Sequence, residues 1–271
     1  MEGRTAVITG ATSGIGAAYA LWFAQDGYDL IITGRRRAVI EEFAQKLRKS
    51  YGIKVEVVIA ELAKPDQVEK LIEKIRHRQV EVLVNNAGFG VNSFYQESDL
   101  EIMEQVVEVN VLTPMKLIHA LLPGMIRRGR GIIINVSSES AYLSIPKNSV
   151  YSGVKAFLLS FTEGLHLDLR NTGVKVQVVC PGFTRTDFHE KMGMKKSKQR
   201  NKGLIHWMSP EKVVEISLKD LKKEKVICIP GIHTKLLIFF GKILPKNYYY
   251  KFASTFNQKN KSNSRKNQIK Q

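Results

Sequence analysis

The stretch TAVITGATSGIG, Thr5 to Gly16, decides how the rest of the chain is read. Its first five residues are short, apolar and β-branched, as suits a buried strand. They run straight into a turn with glycine at 10, 14 and 16. From Gly14 to Gln25 the pattern is helical, with Ile15, Ala18, Tyr19, Leu21, Trp22 and Phe23 apolar. A strand, a tight glycine turn and a helix N-terminus in that order form a phosphate site, because free N–H groups and the positive helix end point at the turn. Gly10 permits the turn. Gly14 and Gly16 let the backbone approach a pyrophosphate and let the helix pack on the sheet. Thr12, Ser13 and Ile15 belong to the same candidate loop. The spacing is Gly-x-x-x-Gly-x-Gly, which differs from the commoner Gly-x-Gly-x-x-Gly.

Outward from this loop, strand-like and helix-like runs alternate. Strands are expected at 28–34, 54–60, 80–86, 131–138, 174–180 and 226–230. Helices are expected at 36–51, 66–78, 99–109, 112–128 and 149–171. Ser209 reads as a helix N-cap with Pro210 in the first position. Continuously apolar strands between helical patterns indicate a parallel sheet buried on both faces. The expected fold class is therefore α/β: a doubly wound, mostly parallel seven-stranded sheet with helices on both faces and ligand at the carboxyl ends of the strands. The expected division is a domain over 1–233 that includes a lid at 184–207, an amphipathic extension over 234–256, and a basic flexible tail over 257–271.

Composition narrows the partners. The net charge is +17 over 271 residues, but residues 191–202 and 235–271 hold fifteen of those charges with no acid among them. A near-neutral body with basic appendages is not a domain shaped around a nucleic-acid backbone, so no nucleic acid is expected. Two cysteines, Cys180 and Cys228, sit in apolar runs and read as small buried hydrophobes of a reducing cytoplasm. The six histidines are scattered, and no metal is expected. No signal-peptide pattern opens the chain, and no window of about 20 apolar residues is apparent. The expected location is cytoplasmic, with peripheral contact at a membrane surface left open for residues 236–256.

The end of the second strand selects between nicotinamide cofactors. An acid there accepts from the ribose 2′-hydroxyl of NAD. This chain instead reads Thr33-Gly34-Arg35-Arg36-Arg37. A guanidinium fork at that place suits a 2′-phosphate, so NADP (NADPH) is favoured over NAD, with Arg35 as the reader.

TGATSGIG, NNAG (85–88), Asn110, the VSS of 136–138, YSGVK (151–155) and PGFTRT (181–186) occur in this order. Together they resemble the short-chain dehydrogenase/reductase family, over about residues 4 to 230. The resemblance implies a Rossmann-type domain, a homodimer or homotetramer using the helices 112–128 and 149–171, and a set of site residues. Tyr151 is the implied proton donor to a carbonyl. Lys155 binds the nicotinamide ribose and tunes the tyrosine. Asn110 holds a water in a relay with that lysine. Asn86, Ala87 and Gly88 border the adenosine ribose. The Thr184 N–H and Thr186 hydroxyl, after Pro181 and Gly182, hold the carboxamide. The third strand of such proteins usually ends in an aspartate at the adenine; here the residues are Ala60-Glu61-Leu62, which keeps an acceptor on a longer arm.

The residues themselves support that reading. Tyr151 and Lys155 are four apart and share a helix face. A nearby ammonium stabilises a tyrosinate, and lowering a tyrosine pKa from about 10 by about three units corresponds to about 4 kcal/mol. Ser138 ends the fifth strand, where its hydroxyl can orient a substrate carbonyl; its neighbour Ser137 faces the other way, and the spacing in similar proteins favours Ser138. Gly153, on the same turn as the pair, is expected to relieve crowding against cofactor or sheet. Phe89, Phe94, Tyr142, Leu143, Phe183 and Phe188 follow the motifs and suggest an apolar pocket for a lipophilic carbonyl substrate. The expected activity is NADP-dependent reduction of a lipophilic ketone or 3-oxoacyl thioester. A non-catalytic dinucleotide-binding regulator on the same fold, or a hydroxysteroid dehydrogenase working mainly in oxidation, stands as the alternative.

Overall fold

The computed structural model describes residues 4–192, 199–201, 203 and 205–254. Seven parallel strands form one sheet in the order β3-β2-β1-β4-β5-β6-β7. They are β1 (Thr5–Thr9), β2 (Asp29–Gly34), β3 (Val55–Ile59), β4 (Val80–Asn85), β5 (Gly131–Val136), β6 (Val174–Val179) and β7 (Ile227–Cys228). The last is shorter than the VICIP run suggests, because its pairing with β6 ends after Val178↔Ile227 and Val179↔Cys228.

Strand side chains alternate between two cores, as the pleat requires. Ala6, Ile8, Leu30, Ile32, Val82 and Val84 pack on one face with α1 (Gly14–Gln25), α2 (Arg37–Tyr51) and α8 (Pro210–Lys222). Val7, Ile31, Leu83 and Ile133 pack on the other with α3 (Pro65–Ile75), α5 (Thr113–Arg127) and α6 (Ser149–Asp168). Burial on both faces is why these strands read as unbroken apolar runs. Ser209 Oγ accepts from Lys212 N and caps α8, with Pro210 in its first turn.

The two helices expected at 99–109 and 112–128 are one continuous element. α4 (Leu100–Val107) passes through a π-turn at Glu108–Leu112 into α5. The Asn110 side chain drives the bulge: its Nδ2 donates to the Val106 carbonyl, a backbone acceptor four residues back. Joined, Leu100–Arg127 is 28 residues long and apolar enough by length and composition to span a bilayer, which corrects the absence of such a window in the sequence reading. Val106, Val109, Leu117, Ile118, Leu121 and Met125 are buried within the protein.

Beyond β7, α9 (Ile232–Ile243) and a helical segment at 246–254 cover the loop that follows β5. Gly241 packs on Leu143, and the Tyr249 hydroxyl donates to the Ser144 carbonyl. The lid lysines 195, 196, 198 and 202, and the tail over 257–271, lie outside the described residues.

Candidate active site

The strand order reverses between β1 and β4, so the chain leaves those two strands in opposite directions and opens a crevice at their carboxyl ends. The glycine loop follows β1 and NNAG follows β4. Gly10 has φ +67°, and a Cβ on it would lie 2.9 Å from the Ala87 Cα. A Cβ on Gly16 would collide with the Gly10 carbonyl and with Asn86 Nδ2. Asn86 Nδ2 donates to the carbonyls of Thr9 (3.0 Å) and Gly10 (3.2 Å), so the asparagine side chain holds the loop's shape from the neighbouring strand. Thr9 was not singled out in the sequence, yet its Oγ1 accepts from the N–H groups of Asn86 and Ala87, both at 3.0 Å. Its signal was its place at the end of an otherwise apolar strand.

Ser13 precedes α1 in extended conformation and, among the described residues, its side chain makes no capping bond to the helix. The first-turn N–H groups around Gly14, Ile15 and Gly16 therefore keep the free donors and positive end of a helix N-terminus. Arg36 stands over this turn: its Nη2 donates to Thr12 Oγ1 (3.1 Å) and Ser13 Oγ (3.4 Å) and lies 3.8 Å from the Asp187 carboxylate. Arg35, the arginine selected from the sequence, lies 3.3 Å from the Glu61 carboxylate on an exposed side chain. Glu61 thus holds an arginine, and its N–H donates to Gln67 Oε1. Leu62 is buried, and its carbonyl accepts from Thr113.

The catalytic candidates converge at the ends of β4 and β5. Tyr151 is buried, and its hydroxyl is close enough to Ser138 to be stabilised by it. Ser138 Oγ also accepts from the N–H of Ser140 at the start of a 3-10 turn, Glu139–Ala141. Ser137 faces the other way: its Oγ donates to the Lys155 carbonyl at 2.8 Å and pins α6 to the sheet. Lys155 Nζ donates to the Val136 carbonyl at 2.9 Å. Asn110 Nδ2 donates to Val106 and Phe89 carbonyls, while its Oδ1 is buried with no partner among the described residues. A Cβ on Gly88 would lie 2.6 Å from that oxygen and 3.4 Å from Lys155 Nζ, so both atoms look onto the space Gly88 leaves open. Gly90 has the same role toward the tyrosine. A Cβ there would lie 2.8 Å from Tyr151 Cδ2, a tightness that sequence spacing alone did not signal.

The electrostatics correct one expectation. Burial pushes the Tyr151 phenol above its ordinary value rather than below it; the Ser138 hydroxyl opposes the shift, and the nearby Glu139 charge adds to it. Lys155 Nζ sits over the ring, 5.5 Å from its centroid. Burial brings the lysine itself down to about 8. Glu139, also missed in the sequence, is held up at about 7 by burial. Its Oε2 and Thr234 Oγ1 of α9 both press on Gly182. An acid directly after the serine pair was the available signal.

Other candidates are arranged differently from expectation. Thr186 Oγ1 caps α7 (Asp187–Lys191) by accepting from Phe188 N, and its methyl group lies against Gly14 of the glycine loop. Thr184 is buried; its Oγ1 donates to the Gly182 carbonyl beside Pro181, and its backbone bridges to Met208. Of the six expected pocket residues, Phe188 meets the Tyr151 ring at 5.5 Å, and Phe94 lies under Lys147 beside it. Phe183 instead packs on Trp207, Tyr142 on the small core around Cys180, Phe89 on the main core, and Leu143 on Gly241. Gly153 is exposed, and nothing among the described residues stands within 4 Å of a Cβ built on it, so crowding by the sheet is not its reason.

Residues 4–197 match the model of the short chain dehydrogenase family. The chain is 35% identical over 188 residues to an uncharacterized oxidoreductase of Staphylococcus saprophyticus, covering 69% of this chain and 80% of that one. It is 29% identical over 262 residues to a very-long-chain 3-oxoacyl-CoA reductase of Rattus norvegicus, covering 94% and 80%. Among solved structures it is similar to a short-chain dehydrogenase from Sphingobium yanoikuyae in complex with NADPH, with a TM-score of 0.80, 30% identity, and 85% and 89% of the two chains covered. With the glycine loop, the serine, the tyrosine–lysine pair and the bulge asparagine gathered at one sheet edge, the chain is a nicotinamide-dependent oxidoreductase and belongs to the short-chain dehydrogenase family.

Proposed function

We propose that the protein is an NADP-dependent reductase that converts the carbonyl of a lipophilic ketone or 3-oxoacyl thioester to an alcohol, with Tyr151 as proton donor. The observation that carries this reading is the buried Tyr151, with Ser138 beside its hydroxyl and Lys155 over its ring. Burial keeps the phenol protonated at neutral pH, the form a proton donor to a carbonyl oxygen must have. Ser138 orients the carbonyl and shares the developing charge on its oxygen. Lys155, down at about 8, remains mostly an ammonium at neutral pH and stabilises the tyrosinate left behind. The unpartnered Asn110 Oδ1 accepts a water that returns a proton through Lys155.

The residues present fit the dinucleotide. The uncapped first turn of α1 and the side-chain-free surface at Gly10, Gly14 and Gly16 suit a pyrophosphate. When bound, the cofactor supplies the hydride. Preference for NADP rests on β2 ending without an acid and on two guanidinium groups at its tip. Arg36, on Thr12 and Ser13, joins Arg35 as a reader of the 2′-phosphate. Support for a lipophilic substrate comes from Phe188 against Tyr151 and from the likeness to 3-oxoacyl-CoA reductases.

Tyr151→Phe tests the reaction. NADPH oxidation with a panel of lipophilic ketones and 3-oxoacyl thioesters should fall by at least about 100-fold in kcat/KM, the usual scale for a lost acid catalyst, while NADPH still binds in a fluorescence titration. Turnover within a few fold of wild type would remove Tyr151 from the chemistry.

A further inference from the structure

Helix α9 is apolar on two faces, and the protein uses only one of them. Thr234, Ile238 and Gly241 point inward, toward Gly182 and the 142–144 loop. On the opposite stripe Ile232, Phe239, Phe240 and Ile243 are 55–62% exposed, at the i, i+7, i+8 and i+11 spacing of one helix side. The stripe continues past Pro245 into the helical segment at 246–254, where Tyr248 and Phe252 are exposed as well. Scattered apolar side chains need no explanation, but a contiguous patch of this kind marks a contact surface.

Charge identifies the occupant. Lys235, Lys242, Lys246 and Lys251 border the stripe, and residues 235–271 carry nine Lys/Arg and no Asp or Glu. A second copy paired through this face would set lysine against lysine with no acid in the segment to offset them. A nucleic-acid backbone would leave Phe239, Phe240 and Ile243 without use. An anionic bilayer surface satisfies both features: the aromatic and aliphatic side chains enter the headgroup–acyl boundary while the lysines meet lipid phosphates.

We propose that α9 and the segment at 246–254 form an interfacial docking face for anionic phospholipid membranes. The face is rigidly tied to the active-site side of the molecule. Lys242 Nζ lies 4.4 Å from the Tyr142 ring centroid, Gly241 packs on Leu143, and Tyr249 bonds to Ser144, all in the loop between Ser138 and Tyr151. Docking therefore brings that loop near the lipid surface, with α9 between the two. It does not depend on which carbonyl compound the enzyme reduces.

Flotation of the full chain with phosphatidylcholine–phosphatidylglycerol vesicles and with pure phosphatidylcholine vesicles tests this. The protein should float with the anionic vesicles, should not float with the neutral ones, and should be released by high salt. A triple variant, Phe239→Ser, Phe240→Ser and Ile243→Ser, should reduce partitioning at least about tenfold, since it removes the apolar anchor. Reversing Lys235, Lys246 and Lys251 to glutamate should abolish the preference for anionic lipid. All six side chains are solvent-exposed, and an unchanged circular-dichroism melt establishes that the variants fold. A wild type that stays with the soluble fraction, or folded variants that float as well as wild type, overturns the proposal. So does a loss of self-association in the serine variant at unchanged lipid binding.

Discussion

Replacing Glu139 by glutamine should stabilise the fold, and by an amount that depends on pH. The carboxyl has an ordinary value of 4.5 and is held at about 7 by burial between the β5 end and Gly182. Below 4.5 it is protonated in both folded and unfolded chains and contributes no pH dependence. Between 4.5 and 7 the unfolded chain releases its proton while the folded one retains it, so the native state binds more protons and stability falls as pH rises. Above 7 the folded protein must carry the buried charge as well, and the loss is complete. A separation of about 2.5 units at 1.36 kcal/mol each is about 3 kcal/mol. Glutamine imitates the protonated acid and does not titrate. Urea unfolding followed by tryptophan fluorescence, on wild type and Glu139→Gln across this window, reads the difference directly. The gain should be near zero at the acid end, grow through the interval, and level off above 7 at up to about 3 kcal/mol. A pH-independent offset, or a variant less stable than wild type above 7, would show that the carboxylate has a partner in the native state and that the argument from burial is wrong.

Four further substitutions separate the site's parts. Arg36→Ala should raise the NADPH Michaelis constant by about 10- to 100-fold, the scale of a lost charge-assisted hydrogen bond, and affect NADH much less. Arg35→Ala should have a smaller effect, because Glu61 shares that guanidinium; equal effects on both cofactors in steady-state kinetics would exclude either residue from reading the 2′-phosphate. Gly90→Ala forces a methyl group to 2.8 Å from the buried Tyr151 ring and should cut kcat by more than about tenfold while NADPH titrates normally, because a displaced acid no longer meets the carbonyl oxygen. Gly153→Ala, at an open position of α6, should raise stability by about 0.5–1 kcal/mol in a denaturation experiment; a loss would restore a steric reason for the glycine.

The alternation of strand and helix, the parallel sheet and the identity of the catalytic candidates were legible in the sequence. The fold depends on local order, an apolar run or a glycine turn opening a helix; the candidates needed in addition the succession of motifs that resembles the family, since two side chains four residues apart on one face are common. Strand alternation placed Ser137 and Ser138 on opposite faces, the spacing in similar proteins chose Ser138, and Ser137 does turn away to hold the Lys155 carbonyl. Arg35 shows where that logic stops. A strand-end motif locates the arginines but not their rotamers, and it is Arg36 that reaches Thr12 and Ser13 while Arg35 turns to Glu61.

What the sequence determined by itself is thus the α/β fold and the places of the glycine loop and of the candidate residues Ser138, Tyr151 and Lys155, because short-range patterns and their order along the chain carry them. The tertiary structure decided how Thr9 and Asn86 hold the glycine loop across two strands, how Gly88 and Gly90 leave room beside Asn110, Lys155 and Tyr151, and which aromatic rings face the tyrosine rather than the core. It also decided the direction in which Tyr151 is shifted. Proximity in sequence promised an ammonium beside the phenol, but desolvation is the largest cause of the shift, and desolvation is set by every segment packed around the ring.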